Sequence, residues 1–398
     1  MLKALKYRLK TSKAVEQKLQ ATLEICRELY NAALQERRDA WPTAGVSVTY
    51  VDQANQLPAL KESRPDVAQV HSQALQDVLK RLQRAFENFF RRVRNGEKPG
   101  YSRFKRRNRY DSFTYPQSGW RIEGHKLILS QIGSMRLRLS RPIPDTIRRV
   151  TIKREAGKWY AIFTCEVEPN PQPVMGFMSG IDLNVENFLT TSAGEVVDNP
   201  RWYRVAEEMI QWCHRLLSRK QKGSNRRKKA ILRLQKWYAK MKNQRRDFQP
   251  KLSRRLVNEN DVIFYELLQM ANMVRNHCLA RSISDVAWGA FLFMVVYKAA
   301  EAGKLAIGVP PHWRTQECSR CGTLARKGLS QRWHSCPVCG LELPRDHNPA
   351  LNILRQGIEL CAAVGQTVAA RGGNSVGSPM KREPVFGCEM PHGVSLKS

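Results

Sequence analysis

Acidic residues are scarce in this chain. Its 398 residues carry 35 Asp and Glu against 67 Lys and Arg, a formal net charge of +32. That excess is far beyond what solubility requires and marks a polyanionic partner. The basic residues are spread along the whole sequence and interleaved with aromatics instead of forming one juxtamembrane block, which favours nucleic acid over a membrane surface. Long hydrophobic runs are missing as well. The longest uncharged apolar stretch, Val286 to Tyr297, falls short of the roughly 20 residues that a bilayer crossing needs, and it reads as a buried core helix. The opening MLKALKYRLK alternates charge with apolar residues, so neither a signal peptide nor an anchor is expected there. The ten cysteines fit a reducing cytosol in which thiolates bind metal and do not oxidise. The length predicts two or three domains.

Four of those cysteines form a metal signature. Cys318 and Cys321 make one C-x-x-C knuckle, Cys336 and Cys339 make a second, and fourteen residues separate them. Each knuckle presents two sulfurs from a tight turn, Gly322 and Gly340 follow where the chain must curl, and four thiolates close a tetrahedron around zinc. A closed four-cysteine site has no open position, so this zinc is expected to be structural. The ribbon, about residues 313–343, hands over to Arg345-Asp346-His347-Asn348 and then to an apolar-faced helix. An Asp at a helix entrance is by default a cap.

From the start of the chain, Leu5, Tyr7 and Leu9 alternate with Lys6, Arg8 and Lys10, a strand with one buried and one basic face. A helix is predicted from Ala14 to Trp41 with Ser12 as its cap, then a connection over residues 42–66. A second helix is predicted from about Val67 to Arg94, its face running from Leu75 to Phe86, Phe89, Phe90 and Val93. The next segment mixes the cations Lys98, Arg103, Lys105, Arg106 and Arg107 with Tyr101 and Phe104, which is how a surface neutralises phosphates and stacks on bases. Short strands follow from Ser112 to Val167, suggesting a small barrel or sandwich that the first strand completes, with the helices inserted between its first and second strands. Glu168 to Pro173 is a linker by composition. Residues 201–255 hold nineteen Lys or Arg against Glu207, Glu208 and Asp247. They read as a basic helical pair joined at Gly223-Ser224-Asn225, with Arg226, Arg227, Lys228 and Lys229 facing a phosphate backbone; a coiled coil is the alternative. Ser282 to Asp285 is a capping-box signal, which makes Asp285 a cap. After Gln356 periodicity fades, and residues 363–398 read as a disordered tail.

Asp182, Glu266 and Asp346 each lie at the border of an apolar element, in segments far apart in sequence. A pair of divalent ions about 4 Å apart needs carboxylates converging from different elements, because neighbours on one strand point to opposite faces. Such a trio could hold magnesium for in-line hydrolysis of a phosphodiester.

These residues carry a family resemblance. Gly180-Ile-Asp-Leu183, Glu266 at a strand end, the paired C-x-x-C knuckles and Arg345-Asp346-x-Asn348-x-Ala350-x-Asn352-Ile353 resemble the TnpB (OrfB) proteins of bacterial insertion sequences, which are related to the compact type V CRISPR nucleases. Further matches include Gln73-Ala-Leu-Gln76, Gly100-Tyr-x-Arg-Phe-Lys105 and Ser282-Ile-x-Asp285. The resemblance implies an α/β multidomain chain. Residues 1–170 would form a wedge β-barrel carrying a helical recognition insertion at about 12–110. Residues 171–362 would form a RuvC-like, ribonuclease-H-like nuclease core with the zinc ribbon inserted before its third acidic residue. It further implies binding of a guide RNA made from the transposon end, and cutting of target double-stranded DNA with Asp182, Glu266 and Asp346 in a bacterial cytoplasm, at the nucleoid. Two positions depart from the family pattern: Leu267 and Pro344 stand where Asp is usual. The alternatives are a regulator of the same family that binds nucleic acid without cutting, and a transposase that acts without guide RNA.

Overall fold

The computed structural model describes residues 1–370 except 108, 312–315, 326–327 and 329–330, with only the backbone described over 364–370. Most of the expected tail, from residue 371, and parts of the expected ribbon lie outside the described residues. The chain divides into two compact units, Met1–Val167 and Glu168–Ser398, and the division falls at the Pro-rich linker.

The first unit begins with β1 (Leu2–Lys10), whose Tyr7 and Leu9 are buried as the alternation requires. Helix α1 (Lys13–Ala44) starts where Ser12 accepts a hydrogen bond from the Val15 amide, and it stops at Gly45 in the left-handed region. The expected connection over 42–66 instead holds three short helices, α2 (Tyr50–Asn55), α3 (Leu57–Ser63) and α4 (Pro65–Ala68). Helices of four to seven residues are too short to display a period; the Thr49–Asp52 capping box was the readable sign. Helix α5 (Ser72–Arg94) buries Leu75, Val78, Leu79 and Leu82, but the continuation of that stripe leaves the core, and Phe90 is 54% exposed.

Six strands complete the unit: β2 (Ser112–Tyr115), β3 (Trp120–Glu123), β4 (Lys126–Leu129), β5 (Gly133–Arg138), β6 (Ile147–Glu155) and β7 (Lys158–Glu166). With β1 they form one antiparallel seven-stranded sheet in the order β2-β6-β7-β1-β5-β4-β3. The first strand therefore sits mid-sheet, between β7 and β5, and the helices are inserted between it and β2. The outer strands β2 and β3 are not paired with each other, so the hydrogen-bonding circuit expected of a barrel stays open.

The second unit is built on β8 (Met178–Asp182), β9 (Asn187–Thr191), β10 (Val196–Asp198), β11 (Val262–Glu266) and β12 (Leu305–Val309). Their order is β10-β9-β8-β11-β12, with antiparallel hairpins on one side and parallel strands on the other. Helices α6 (Trp202–Ser218) and α7 (Asn225–Glu259) form the basic pair. They are followed by α8 (Met270–Met273), α9 (Ala280–Val286) and α10 (Trp288–Glu301), the short strands β13 (Trp333–Ser335) and β14 (Glu342–Pro344), and α11 (His347–Ala370). The stretch Ala280–Glu301 is long and apolar enough to cross a membrane. It is broken at Ala287, φ 55°, and buries Trp288, Phe291 and Val295 against Ile181, Phe188 and Ile263.

Two expectations are corrected here. Helix α11 continues past Gln356 to Ala370, where the fading pattern suggested a tail beginning at 363. Asp285 does not cap its own helix: it lies inside α9, and its carboxylate accepts from the Tyr203 amide in the first turn of α6 at 2.8 Å and pairs with Arg245 of α7 at 2.9 Å. It is a cap, but of a distant helix.

Candidate active site and metal centre

Strands β8 and β11 are adjacent and parallel, with Gly180 opposite Phe264 and Ile181 opposite Tyr265. One step further along this register lie Asp182 and Glu266, the last residue of each strand. Side chains alternate along a strand, so the face of each carboxylate follows from its neighbours. Ile181 and Ile263 belong to the cluster with Phe291 of α10, whereas Phe264 packs with Ile353 and Leu354 of α11. Asp182 and Glu266 therefore lie on the α11 face, side by side at the carboxyl edge of the sheet.

Close packing fixes that helix to the strands. A Cβ on Gly180 would sit 2.3 Å from the Ala350 carbonyl oxygen, and a Cβ on Gly357 would sit 2.1 Å from the Phe264 ring. Only glycine fits at either contact. Asp346 immediately precedes α11 and is thereby delivered to the same edge, where its Oδ2 accepts from Asn187 Nδ2 at 3.3 Å. A cavity of about 220 Å³ beside it is lined by Asn187, Thr190, Arg345, Asp346 and His347, among others. At the two departures from the family pattern, Leu267 packs over Gly308 of β12, and Pro344 lines the cavity beside Asp346.

The four cysteine sulfurs lie within 4.8 Å of one another. The Cys318–Cys339 and Cys321–Cys336 sulfurs are 3.6 and 3.5 Å apart, close to the edge of about 3.8 Å that a tetrahedron with zinc–sulfur bonds of about 2.3 Å has. The two knuckles are built alike. Gly322 donates its amide to Cys318 and Gly340 to Cys336, while the Cys318 and Cys336 amides donate to Thr323 and Leu341. Both glycines have positive φ, 74° and 68°. The Thr323 side chain and amide hold the Cys321 thiol down at about 6, and the Cys339 and Val338 amides lower Cys336; against the Leu341 amide, burial and the three neighbouring thiols push Cys339 up to about 12, the mutual repulsion that a cation among the four sulfurs relieves. Donor set and geometry both fit zinc. Among the described residues this is the only such cluster of three or more ligand atoms; the three carboxylates are not drawn together that tightly.

The asparagines after Asp346 have a role that the sequence did not disclose. Asn348 and Asn352 are fully buried. Both donate to the Glu317 carbonyl, at 2.7 and 2.8 Å, and the Asn348 oxygen accepts from the Ser319 amide at 2.9 Å. Arg355 adds an ion pair to the Glu317 carboxylate. Their spacing of four and then three residues, which places all three on one side of a helix, was the available signal.

In the first unit, the segment carrying Lys98, Tyr101, Arg103, Phe104, Lys105, Arg106 and Arg107 has no regular secondary structure, yet it is pinned. Asn31 of α1 exchanges two hydrogen bonds with the Lys105 backbone, at 2.9 and 2.7 Å. Lys105 lies over the Tyr30 ring and Arg107 pairs with Glu24, whereas Tyr101 and Phe104 are 46% and 42% exposed. Tyr101 meets Phe86 and Phe89 edge-on. In the second unit, Arg226, Lys228 and Lys229 face solvent at the start of α7. Arg227 turns inward to donate to the Leu217 and Lys220 carbonyls.

Comparison with known proteins supplies the family. Residues 162–277 match the OrfB model of IS605, described as "Probable transposase", and residues 288–353 match the "Cas12f1-like, TNB domain" model. Residues 1–45 match a model described as a helix-turn-helix domain, although here they form β1 and the single helix α1. A "Putative RNA-guided DNA endonuclease" of Streptomyces pristinaespiralis is 33% identical, covering 96% of both chains. "Putative RNA-guided DNA endonuclease InsQ" of Escherichia coli (strain K12) is 30% identical, covering 96% of this chain and 97% of that one. "TnpB-like protein L79" of Acanthamoeba polyphaga mimivirus is 26% identical over 55% of this chain and 45% of that one. The solved structure of the mini-RNA-guided endonuclease CRISPR-Cas_phi3 shares the fold, with TM-score 0.51 at 9% identity over 90% of this chain and 92% of that one. With full-length relatives at this level of identity, the chain belongs to the IS605 OrfB, or TnpB, family.

Proposed function

We propose that this chain is a transposon-encoded, RNA-guided DNA endonuclease that hydrolyses phosphodiester bonds with magnesium at a RuvC-like carboxylate edge. The observation that carries the site assignment is the register of β8 and β11, which supports Asp182 and Glu266 as a pair on the face closed by the helix that Asp346 precedes. Full-length likeness to proteins named as RNA-guided DNA endonucleases supports the activity and its two partners, guide RNA and target DNA.

Three carboxylates presented from three elements suit a hard divalent cation. When bound, magnesium supplies charge neutralisation at the phosphoryl group. The protein's own part is to hold the carboxylates in fixed positions on a rigid sheet edge, with the Asp346 oxygen restrained by Asn187. The basic surfaces hold the strands. Four cations at the amino end of α7, Arg226 to Lys229, oppose the positive end of the helix dipole, an arrangement that an anionic backbone would relieve. Tyr101 and Phe104, exposed among Lys98, Arg103 and Arg106, would add stacking on bases. The closed cluster of four cysteines leaves no position for substrate, so its zinc is structural.

The test is cleavage of target DNA by the purified protein–RNA complex in magnesium, wild type against Asp182→Ala. Loss of cutting with retained RNA binding is the expected result; equal cutting by both would remove the assigned site. Sequencing the RNA that copurifies identifies the guide, and protein that purifies free of RNA yet joins DNA strands would favour the transposase.

A further inference from the structure

Strand β9 contains one residue too many. Its partner β10 pairs Val196 with Thr190 and Val197 with Leu189, but Asp198 with Asn187, so Phe188 is an extra residue in the strand. The bulge has a consequence for aim. Leu189 and Phe188 both enter the core cluster on the α10 side, where Phe188 meets Phe291 and Phe248 edge-on. Thr190 lies opposite Asp182 and so shares its face. In a regular strand Asn187 would then point to the core side; with Phe188 inserted it points to the α11 side, the face of Asp182 and Thr190. The contact between Asn187 and the Asp346 carboxylate is a product of that bulge.

The same hairpin holds Asp346 a second time. His347, the next residue, bonds through Nε2 to the Ser192 carbonyl at 2.9 Å, just beyond the end of β9, and its ring lies 3.4 Å from where a Cβ on Gly194 would be. Asn187 is in turn fixed by its own amide, which donates to Asn184 Oδ1 at 2.7 Å. The hairpin that ends in Asp182 on one strand therefore grips the third carboxylate with the other.

We propose that Asn187 is a positioning residue: aimed by the Phe188 bulge, its side-chain amide orients the Asp346 carboxylate at the edge that carries Asp182 and Glu266, so that Asp346 can take part in binding divalent cation there. This rests on the reading of the carboxylate edge given above. A donor that orients a ligating carboxylate commonly changes metal affinity or activity about 10–100-fold when removed.

The experiment measures manganese binding to the full chain, with zinc in place, by calorimetry and by the electron-spin resonance spectrum of the bound ion. Asn187→Ala and Asn187→Leu are compared with wild type and with Asp346→Ala. Leucine keeps the branched shape of asparagine, somewhat enlarged, without its donor, and alanine leaves a gap instead, so a loss common to both variants is not a loss of packing. The expected result is a 10–100-fold weaker manganese affinity in both, with the melting temperature and RNA affinity of wild type. Affinity within threefold of wild type in either folded variant overturns the proposal. If wild type and Asp346→Ala bind manganese equally, the carboxylate edge itself fails; if they differ and the Asn187 variants match wild type, only the role of Asn187 fails.

Discussion

The second unit presents two candidate sites, the cysteine cluster and the carboxylate edge, made in opposite ways. The cysteine cluster is local: each pair of sulfurs comes from a four-residue knuckle, and hydrogen bonds within a few residues shape both turns. At the carboxylate edge each acid is visible at the border of its own element, but their meeting is not local. Asp182, Glu266 and Asp346 come from three segments and depend on the β8–β11 register, the Phe188 bulge and the close seat of α11 on the strands. A local site announces itself in sequence spacing and resists changes elsewhere, whereas a site assembled by register is silent in spacing and exposed to distant damage.

That contrast can be broken in graded steps. Glu266→Ala should reduce cleavage roughly a thousandfold or more, the loss expected when transition-state charge stabilisation is removed. Zinc content by elemental analysis should stay at one per chain; a zinc loss would mean that the two centres are not separately built. Gly180→Ala comes next. The new Cβ would strike the Ala350 carbonyl, which is backbone and cannot swing aside, so α11 must shift. Misplacement of about 1 Å can cost roughly 100-fold in rate, and overpacking costs about 1–3 kcal/mol of stability, read as a lower unfolding midpoint in urea. Zinc should again remain. Cys336→Ser reverses the pattern: zinc is lost while β8 and β11 stay paired, seen as retained amide protection over 178–182 and 262–266, and cleavage falls about tenfold through the anchoring of α11. The smallest effect belongs to the first unit. Burial, with Lys61 nearby, holds the His71 pKa below its ordinary 6.5. The unfolded chain then takes up the proton more readily, so stability is complete above pH 6.5 and declines as pH falls below it. His71→Phe should flatten that decline in thermal melts between pH 7 and 5.

The contrast also explains what the sequence made legible. The knuckles, the first strand, the cap at Ser12 and the acidic ends of β8 and β11 were readable, because each is a pattern within a few residues. The open circuit of the antiparallel sheet was not, since closure depends on whether β2 and β3 meet, which no strand records alone. Asn187 was unreadable for the same kind of reason: without the pairing to β10, Phe188 is an ordinary strand residue and its neighbour has no assigned face. Asp285 was read as a cap by its spacing, but its partners, Tyr203 and Arg245, lie 82 and 40 positions away. Composition showed that the surfaces are basic without showing that Arg227 is spent on two backbone carbonyls.

Helix α11 meets the strands through Ala350 and Gly357 and meets the first cysteine knuckle through Asn348, Asn352 and Arg355. It thus acts as a shared strut, one end of which carries Asp346. Whatever unseats the first knuckle therefore pulls on the same rod that carries Asp346, so the cysteine cluster and the acidic edge are mechanically joined although their ligands share no residue.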